Sequence, residues 1–303
     1  MEKPNFFILG APKCGTTSLA SWLACHPRVF FSEPKEPNFF NTDRQFIYRP
    51  SPRAYRRLFK NAEPRHLAVG EGSTGYLSSG VALPAILDYT DAPRFIVCVR
   101  NPIDMVVSWH GQAIRMGVEN RVTFEDAWRL QAARREGKHI PLLCKDPVVL
   151  QYRFICSLGT QLERVFQLVP KQDVVVVVLD DMKRDPMKEY RRVVNFLGVG
   201  DDGRRSFPVM NPAVQVPLGL AATLNLVTLL KRRLRIRRRF GLIRWAERRL
   251  KTTGPNRVPS PEILAELHDA FRPEIQLLSQ LLDRDCSPWM SGQSLPPVLN
   301  GSR

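Results

Sequence analysis

The chain has 303 residues, of which 44% are hydrophobic and 24% charged, the balance of an ordinary soluble globular protein. That length allows one large domain or two small ones, with a core burying roughly three quarters of the unfolded surface. The composition excludes collagen-like, disulfide-scaffold and wholly disordered classes, and no apolar run reaches the roughly 18 residues of a transmembrane helix.

The start, Met1-Glu2-Lys3-Pro4, leads into a short apolar run, too short for the apolar region of a secretion signal. Six cysteines, at 14, 25, 98, 144, 156 and 286, are scattered without a CxxC pair. They read as reduced thiols of a cytoplasmic protein. The net charge of +16 is unevenly spread. Residues 231–251 hold 11 Lys/Arg against one Glu, leaving only +6 for the rest of the chain.

In chain order, residues 5–9 (NFFIL) form a short buried-strand pattern. Gly10 to Gly15 is a loop, and Thr16 to His26 reads as a helix with Leu19, Trp22 and Leu23 on one face. A Pro-rich loop covers Ser32 to Asn38, followed by a helix around Tyr55–Phe59, a strand near Leu67–Gly70 and a loop over Glu71–Ser79. Arg94–Val99 (RFIVCV) is an almost wholly apolar strand. Pro102 then opens a helix that runs toward Gly117, at a position where its missing N–H costs nothing. Phe124–Arg134 and Val148–Leu168 read as helical, Val174–Leu179 (VVVVVL) as a strand and Pro186–Leu197 as a helix. Beyond about residue 205 the pattern is helical only, over 216–250 and 260–282, and a flexible tail follows from Ser291. No internal repeat is present. Short apolar strands alternating with longer helices predict an α/β fold whose parallel sheet is covered on both faces.

The segment Gly10-Ala-Pro-Lys13-Cys14-Gly15-Thr16-Thr17-Ser18 joins the first strand to the first helix. Such a turn aims backbone N–H groups and the positive end of a helix at one spot, which suits a phosphate. Lys13 adds a charge, and Thr16, Thr17 and Ser18 add hydroxyl donors. The nucleotide-hydrolase P-loop has the same design in the order GxxxxGK[ST]. Here the lysine lies two residues before Gly15 instead of after it.

This arrangement resembles the 5′-phosphosulfate loop of sulfotransferases that use 3′-phosphoadenosine 5′-phosphosulfate (PAPS). Residues 94–110, RFIVCVRNPIDMVVSWH, are similar to the family's second element, in which an arginine and a serine hold the 3′-phosphate. The matching residues are Arg100, at the carboxyl end of a strand where open α/β sheets bind ligands, and Ser108. Glu33-Pro-Lys35-Glu36-Pro-Asn-Phe-Phe40 resembles the lysine-glutamate-x-x-Phe-Phe element of the heparan sulfate sulfotransferase branch and its bacterial relatives. Gly70-Glu71-Gly72-Ser73-Thr74-Gly75-Tyr76 is similar to that branch's Gly-Glu-x-Ser/Thr-Pro-x-Tyr loop. The ordered matches span roughly residues 5–200.

The resemblance implies a P-loop-like three-layer fold, with a central parallel sheet flanked by helices and a helical C-terminal part over about 205–290. It reads 1–290 as a single domain and 291–303 as the tail. It implies binding of PAPS through Lys13, Cys14, Gly15, Thr16, Thr17, Ser18, Arg100 and Ser108, without a metal. There are departures. Gly72 stands where some animal members carry a lysine, and Thr74 where the usual pattern has a proline. Residues 211–217 (NPAVQVP), a counterpart of the loop that closes the cofactor site, lack the arginine often found there.

Sulfuryl transfer requires the acceptor to lose a proton, the shifting charge to be stabilised, and the partners to be held in line. By match to the family element, Glu36 is the expected general base. Lys13 would stabilise the departing phosphate, and Lys35 would assist it or hold the sulfuryl oxygens. Glu71 reads as a structural carboxylate and the reserve base, and His26 and His110 as packing or surface residues. A P-loop kinase or NTPase is the competing class, because VVVVVLDD (174–181) mimics a strand ending in a magnesium-binding aspartate. A non-catalytic nucleotide-binding protein is the third.

The resemblance implies acceptors such as a carbohydrate, a lipid-linked sugar or a small natural product. The basic stretch 231–251 follows the mostly apolar Leu218–Leu230. It fits a solvated helix face, peripheral docking to an anionic membrane, or a strip for an anionic acceptor. It is too poor in stacking aromatics for nucleic acid.

Overall fold

The structure is a computed structural model that describes residues 3–45, 49–210 and 259–297. Five parallel strands form one sheet in the order β2-β3-β1-β4-β5. They are β1 (Phe6–Gly10), β2 (Val29–Phe31), β3 (Ala68–Gly72), β4 (Arg94–Val99) and β5 (Val174–Val178). Every residue of β1 and β3 is buried, as is every residue of β4 after Arg94. A strand covered on both faces is apolar at each position instead of every second one, which is why NFFIL, RFIVCV and VVVVV stand out in the sequence. Register pairs Phe7 with both Glu71 and Phe95, so β1 is the middle of the sheet. β1 shifts register against β4 between Ile8 and Gly10, just before the loop. Bulges of this kind re-aim the chain beside functional sites.

The helices are α1 (Thr16–Ala24), α2 (Pro52–Arg57), α3 (Ala82–Tyr89), α4 (Pro102–Arg115), α5 (Phe124–Arg129), α6 (Gln131–Arg135), α7 (Tyr152–Cys156), α8 (Leu158–Leu168), α9 (Leu179–Arg184), α10 (Pro186–Phe196) and α11 (Pro261–Leu282). Helix α1 packs on β1 and against α10, which also lies on β5, while α3 packs on α8.

Several elements differ from the sequence reading. The third strand runs on through Glu71 and Gly72, because both pair with β1 (Phe7 and Ile8). Strand β2 and helix α3 were not expected. The 148–168 helix is three pieces, a 3₁₀ turn at Pro147–Leu150 followed by α7 and α8. The 124–134 helix is two, α5 and α6. The helical reading of 216–250 lies outside the described residues, as do the basic stretch 231–251 and the segment 211–217. From Ser291 the chain does not leave the core at once. Leu295 is fully buried, its N–H donates to Asp180 at 3.0 Å, and its carbonyl accepts from Arg184.

The chain divides into two compact units. The first, Met1–Met105 with Ser157–Met210 and His268–Arg303, contains the whole sheet. The second, Val106–Cys156 with Asn211–Leu267, holds a buried ion pair among its described residues. Arg134 grips Glu119 through two nitrogens at 2.6 Å each, with both side chains wholly buried, and the Tyr152 hydroxyl donates to the same carboxylate at 2.5 Å. Trp109 donates its indole N–H to the Val149 carbonyl, and the His110 ring meets the Arg121 carbonyl at 2.9 Å. Both His110 and His26 are buried and engaged with backbone carbonyls, His26 with that of Gly200.

Candidate active site

The carboxyl ends of β3, β1 and β4 lie side by side, and β1 is where the connections turn to opposite sides. Open α/β sheets bind ligands at such a point. From β1 the chain enters the loop 10–15. A Cβ on Gly10 would stand 2.8 Å from the Thr74 carbonyl oxygen, so only glycine lets the two segments approach. Lys13 adopts a left-handed backbone (φ 65°), and so does Gly15 (φ 84°), which serves as the N-cap of α1 without a side-chain cap. The first turn of α1 holds no acidic residue. Its amide donors and positive dipole end therefore lie beside Lys13, an arrangement suited to an anion.

Of the residues expected in this cradle, Lys13, Gly15 and Thr17 are half-buried, and Thr16 and Ser18 are buried. Cys14 is buried. Its side chain turns into the core, donating to the Pro12 carbonyl at 3.4 Å and contacting the Met105 sulfur at 3.8 Å. Burial pushes its thiol up to about 12, against the lowering effect of Arg100, so only its backbone remains for a ligand. The Ser18 hydroxyl accepts the Met210 N–H at 3.0 Å, which ties the end of the 199–210 segment to α1. Trp22 reinforces that tie, donating to the Pro208 carbonyl and meeting the Phe207 ring edge-on at 5.2 Å.

Arg100 follows β4 directly. Its guanidinium donates to the Lys13 carbonyl at 3.2 Å and lies 3.5 Å from Asp104, with the side chain 16% exposed. Arg100 thus meets the loop. Ser108 is half-buried on α4, nearly two turns past Pro102, in the part of that helix that belongs to the second unit.

The second half of the site is the chain over 33–40. Glu36 has a left-handed backbone (φ 65°), as does Asn38 (φ 50°). Such conformations cost non-glycine residues about 1–3 kcal/mol each and persist only where the surroundings impose them. The Glu36 N–H donates to the Gly72 carbonyl at 2.9 Å. One carboxylate oxygen of Glu36 pairs with the Lys35 ammonium. The other accepts both the Thr74 N–H, at 2.8 Å, and the Thr74 hydroxyl, at 3.2 Å. A proline at position 74 could supply neither donor, so the departure from the usual loop pattern gives Glu36 a clamp. The lysine stem lies over Gly72, with Lys35 Cε 3.6 Å from where a Cβ would be. Glu36, Lys35 and Thr74 are thereby brought together, and the Thr74 carbonyl abuts Gly10.

Behind them lies Glu71, with no exposure. Its carboxylate accepts from Tyr76 at 2.7 Å, Tyr55 at 3.2 Å and Ser73 at 3.0 Å. Burial raises its pKa to about 7, the three hydroxyls pulling it down and nearby Glu36 pushing it up. This network was legible only in part. The Gly-Glu-x-Ser-Thr-x-Tyr spacing marks three of its members, but nothing local marks Tyr55.

The aspartates after β5 are committed elsewhere. Asp180 accepts from the Trp289 indole and the Leu295 N–H, and Asp181 pairs with Arg184 and Arg284. They hold the C-terminal segment against the sheet, as expected of residues after a structural strand.

Comparison with known proteins bears on the family and the fold. The model of the sulfotransferase domain matches residues 3–206. Human carbohydrate sulfotransferase 15 is 50% identical over 46 residues, 15% of this chain and 8% of that protein. The membrane-associated sulfotransferase kil1 of Dictyostelium discoideum is 26% identical over 121 residues, 39% of this chain and 25% of that protein. The matches thus span a quarter or less of those relatives' lengths. A crystal structure of a sulfotransferase from Alicyclobacillus acidocaldarius superposes with a TM-score of 0.69 at 23% identity, covering 95% of this chain and 99% of that one, and so shares the fold. With a parallel sheet, a lysine-bearing loop from its central strand into a helix and a family match over two thirds of its length, the chain belongs to the sulfotransferase family.

Proposed function

We propose that the protein transfers the sulfuryl group of PAPS to a hydroxyl or amine of a carbohydrate, a lipid-linked sugar or a small natural product, with Glu36 as general base. One observation carries this reading. A half-buried carboxylate is held by Lys35 and Thr74, and Thr74 abuts the first residue of the anion-binding loop. A proton acceptor and a phosphate cradle therefore share one sheet edge.

The donor set fits a bisphosphorylated nucleotide. Lys13, the backbone N–H groups from Cys14 to Thr16 and the hydroxyls of Thr16, Thr17 and Ser18 would take the 5′ end, and Arg100 and Ser108 the 3′-phosphate. Supplied by PAPS, the sulfuryl group leaves a phosphate whose growing charge Lys13 would stabilise. Lys35 would shift from Glu36 toward the sulfuryl oxygens, freeing a carboxylate oxygen for the acceptor proton. No metal enters this scheme. The reading also has the chain working in the cytoplasm, with residues 218–251 as a peripheral contact for an anionic membrane.

The test is calorimetry with 3′-phosphoadenosine 5′-phosphate (PAP) against Mg-ATP, followed by incubation of radiolabelled PAPS with fractionated host extract. Tight binding of PAP without Mg²⁺, with label passing to a sugar or small molecule, is expected. Tight Mg-ATP binding with no preference for the 3′-phosphate would overturn the proposal.

A further inference from the structure

Within its own segment the left-handed turn at Glu36 is supported by the Asn38 side-chain amide, which donates to the Glu36 carbonyl at 3.0 Å. The N–H groups that follow it are taken by two buried hydroxyls. Asn38 N–H donates to Ser73 Oγ at 3.0 Å, and Phe39 N–H donates to the Tyr76 hydroxyl at 3.0 Å, with Phe40 N–H 3.4 Å from the same oxygen. Both hydroxyls in turn donate to Glu71. A hydroxyl that gives its hydrogen to a carboxylate must turn its lone pairs the other way, here toward the main chain of 38–40. The third donor to Glu71, Tyr55, stacks its ring on Phe39 at 4.2 Å and 8°. Three side chains that hold the turn thus lead back to one carboxylate, alongside the Gly72 carbonyl that takes the Glu36 N–H, the Thr74 clamp and the Asn38 amide that donates to the Glu36 carbonyl.

We propose that Glu71 is a positioning residue for Glu36, a buried acceptor that orients Ser73, Tyr76 and Tyr55 so that they hold the turn carrying the base. This rests on the reading of Glu36 as the base. Glu71 touches no reactant and takes no proton from the acceptor. An apolar residue at 71 would leave the tyrosine hydrogens without an acceptor and their rotors undirected. Glutamine would keep the arrangement, because its oxygen can accept from both tyrosines and its amide can donate to Ser73 Oγ.

Three variants, E71L, E71Q and Y76F, test this by amide exchange and by hydrolysis of radiolabelled PAPS. In that probe reaction water bonds to sulfur, the sulfur–phosphate oxygen bond breaks, PAP leaves and the water proton passes to the base. E71L is expected to speed exchange at residues 38–40 about tenfold or more while amides of β1 and β4 stay protected. It should slow hydrolysis about 10- to 100-fold with PAP affinity within about twofold, and E71Q should restore both readouts to within about threefold. In an E36Q background E71L should change residual hydrolysis by less than about twofold, because it acts through Glu36. Y76F, which removes one hydroxyl and keeps the ring, should reproduce the exchange effect at Phe39 even if E71L does not fold.

Unchanged exchange at 38–40 in Y76F and E71L would overturn the proposal, as would an equal loss of hydrolysis from E71L with and without Glu36. Failure of the base assignment has a different signature, near-normal hydrolysis in E36Q alone.

Discussion

Glutamine at position 71 removes a titrating charge while preserving shape and hydrogen bonding, so it isolates what that charge does to stability. Burial raises the Glu71 carboxyl from an ordinary 4.5 to about 7 in the folded chain. Between those two values the folded protein holds a proton that the unfolded chain releases. Folding is therefore favoured on the acid side, and the contribution is lost as pH rises through 7. Each pH unit of the gap is worth about 1.4 kcal/mol, so the full swing is about 3 kcal/mol, and about 2–3 kcal/mol of it falls between pH 5 and pH 8. E71Q has no such titration. Urea unfolding of both proteins at pH 5 and pH 8 should show E71Q gaining on the wild type by that amount at the higher pH. A stability difference constant to within about 0.5 kcal/mol would refute the assignment of a buried, proton-holding carboxyl at this site.

E36Q keeps the shape of the base and should lower sulfuryl transfer about 10²–10⁴-fold while calorimetry finds PAP affinity nearly unchanged. R100A removes a charged phosphate contact and should weaken PAP by about 2–3 kcal/mol with little effect on 5′-AMP. K13A should weaken PAP and slow turnover together, since Lys13 would meet the phosphate in ground and transition states alike. In the second unit, R134M would leave Glu119 buried without its partner, and denaturant unfolding should register a loss of about 3–5 kcal/mol. Residues 231–251 predict co-sedimentation with anionic but not neutral liposomes, fading as salt rises. Equal, negligible binding to both would leave that stretch a solvated one.

Local sequence determined the parts of this protein that need only local physics. Runs such as RFIVCV and VVVVV are strands covered on both faces, and their apolar continuity survives in any reading. The glycine, lysine and hydroxyl spacing of 10–18 marks a turn into a helix because φ above zero and uncapped amides are properties of a few adjacent residues. Family resemblance then selected Glu36, Lys35 and Arg100. Tertiary structure decided what depends on partners far along the chain. Glu71 and Gly72 look like loop residues until β1 pairs with them, 64 residues away. Leu295 looks like a flexible tail until Asp180 and Arg184 receive its backbone. Cys14 lies in the loop by sequence, and the fold turns its side chain onto Met105. The Glu71 network joins α2, the end of β3 and the turn after Glu36. Its members are chemically ordinary in isolation, and burial alone converts their hydroxyls and carboxylate into a frame, because a polar group removed from water must find its partner inside the protein.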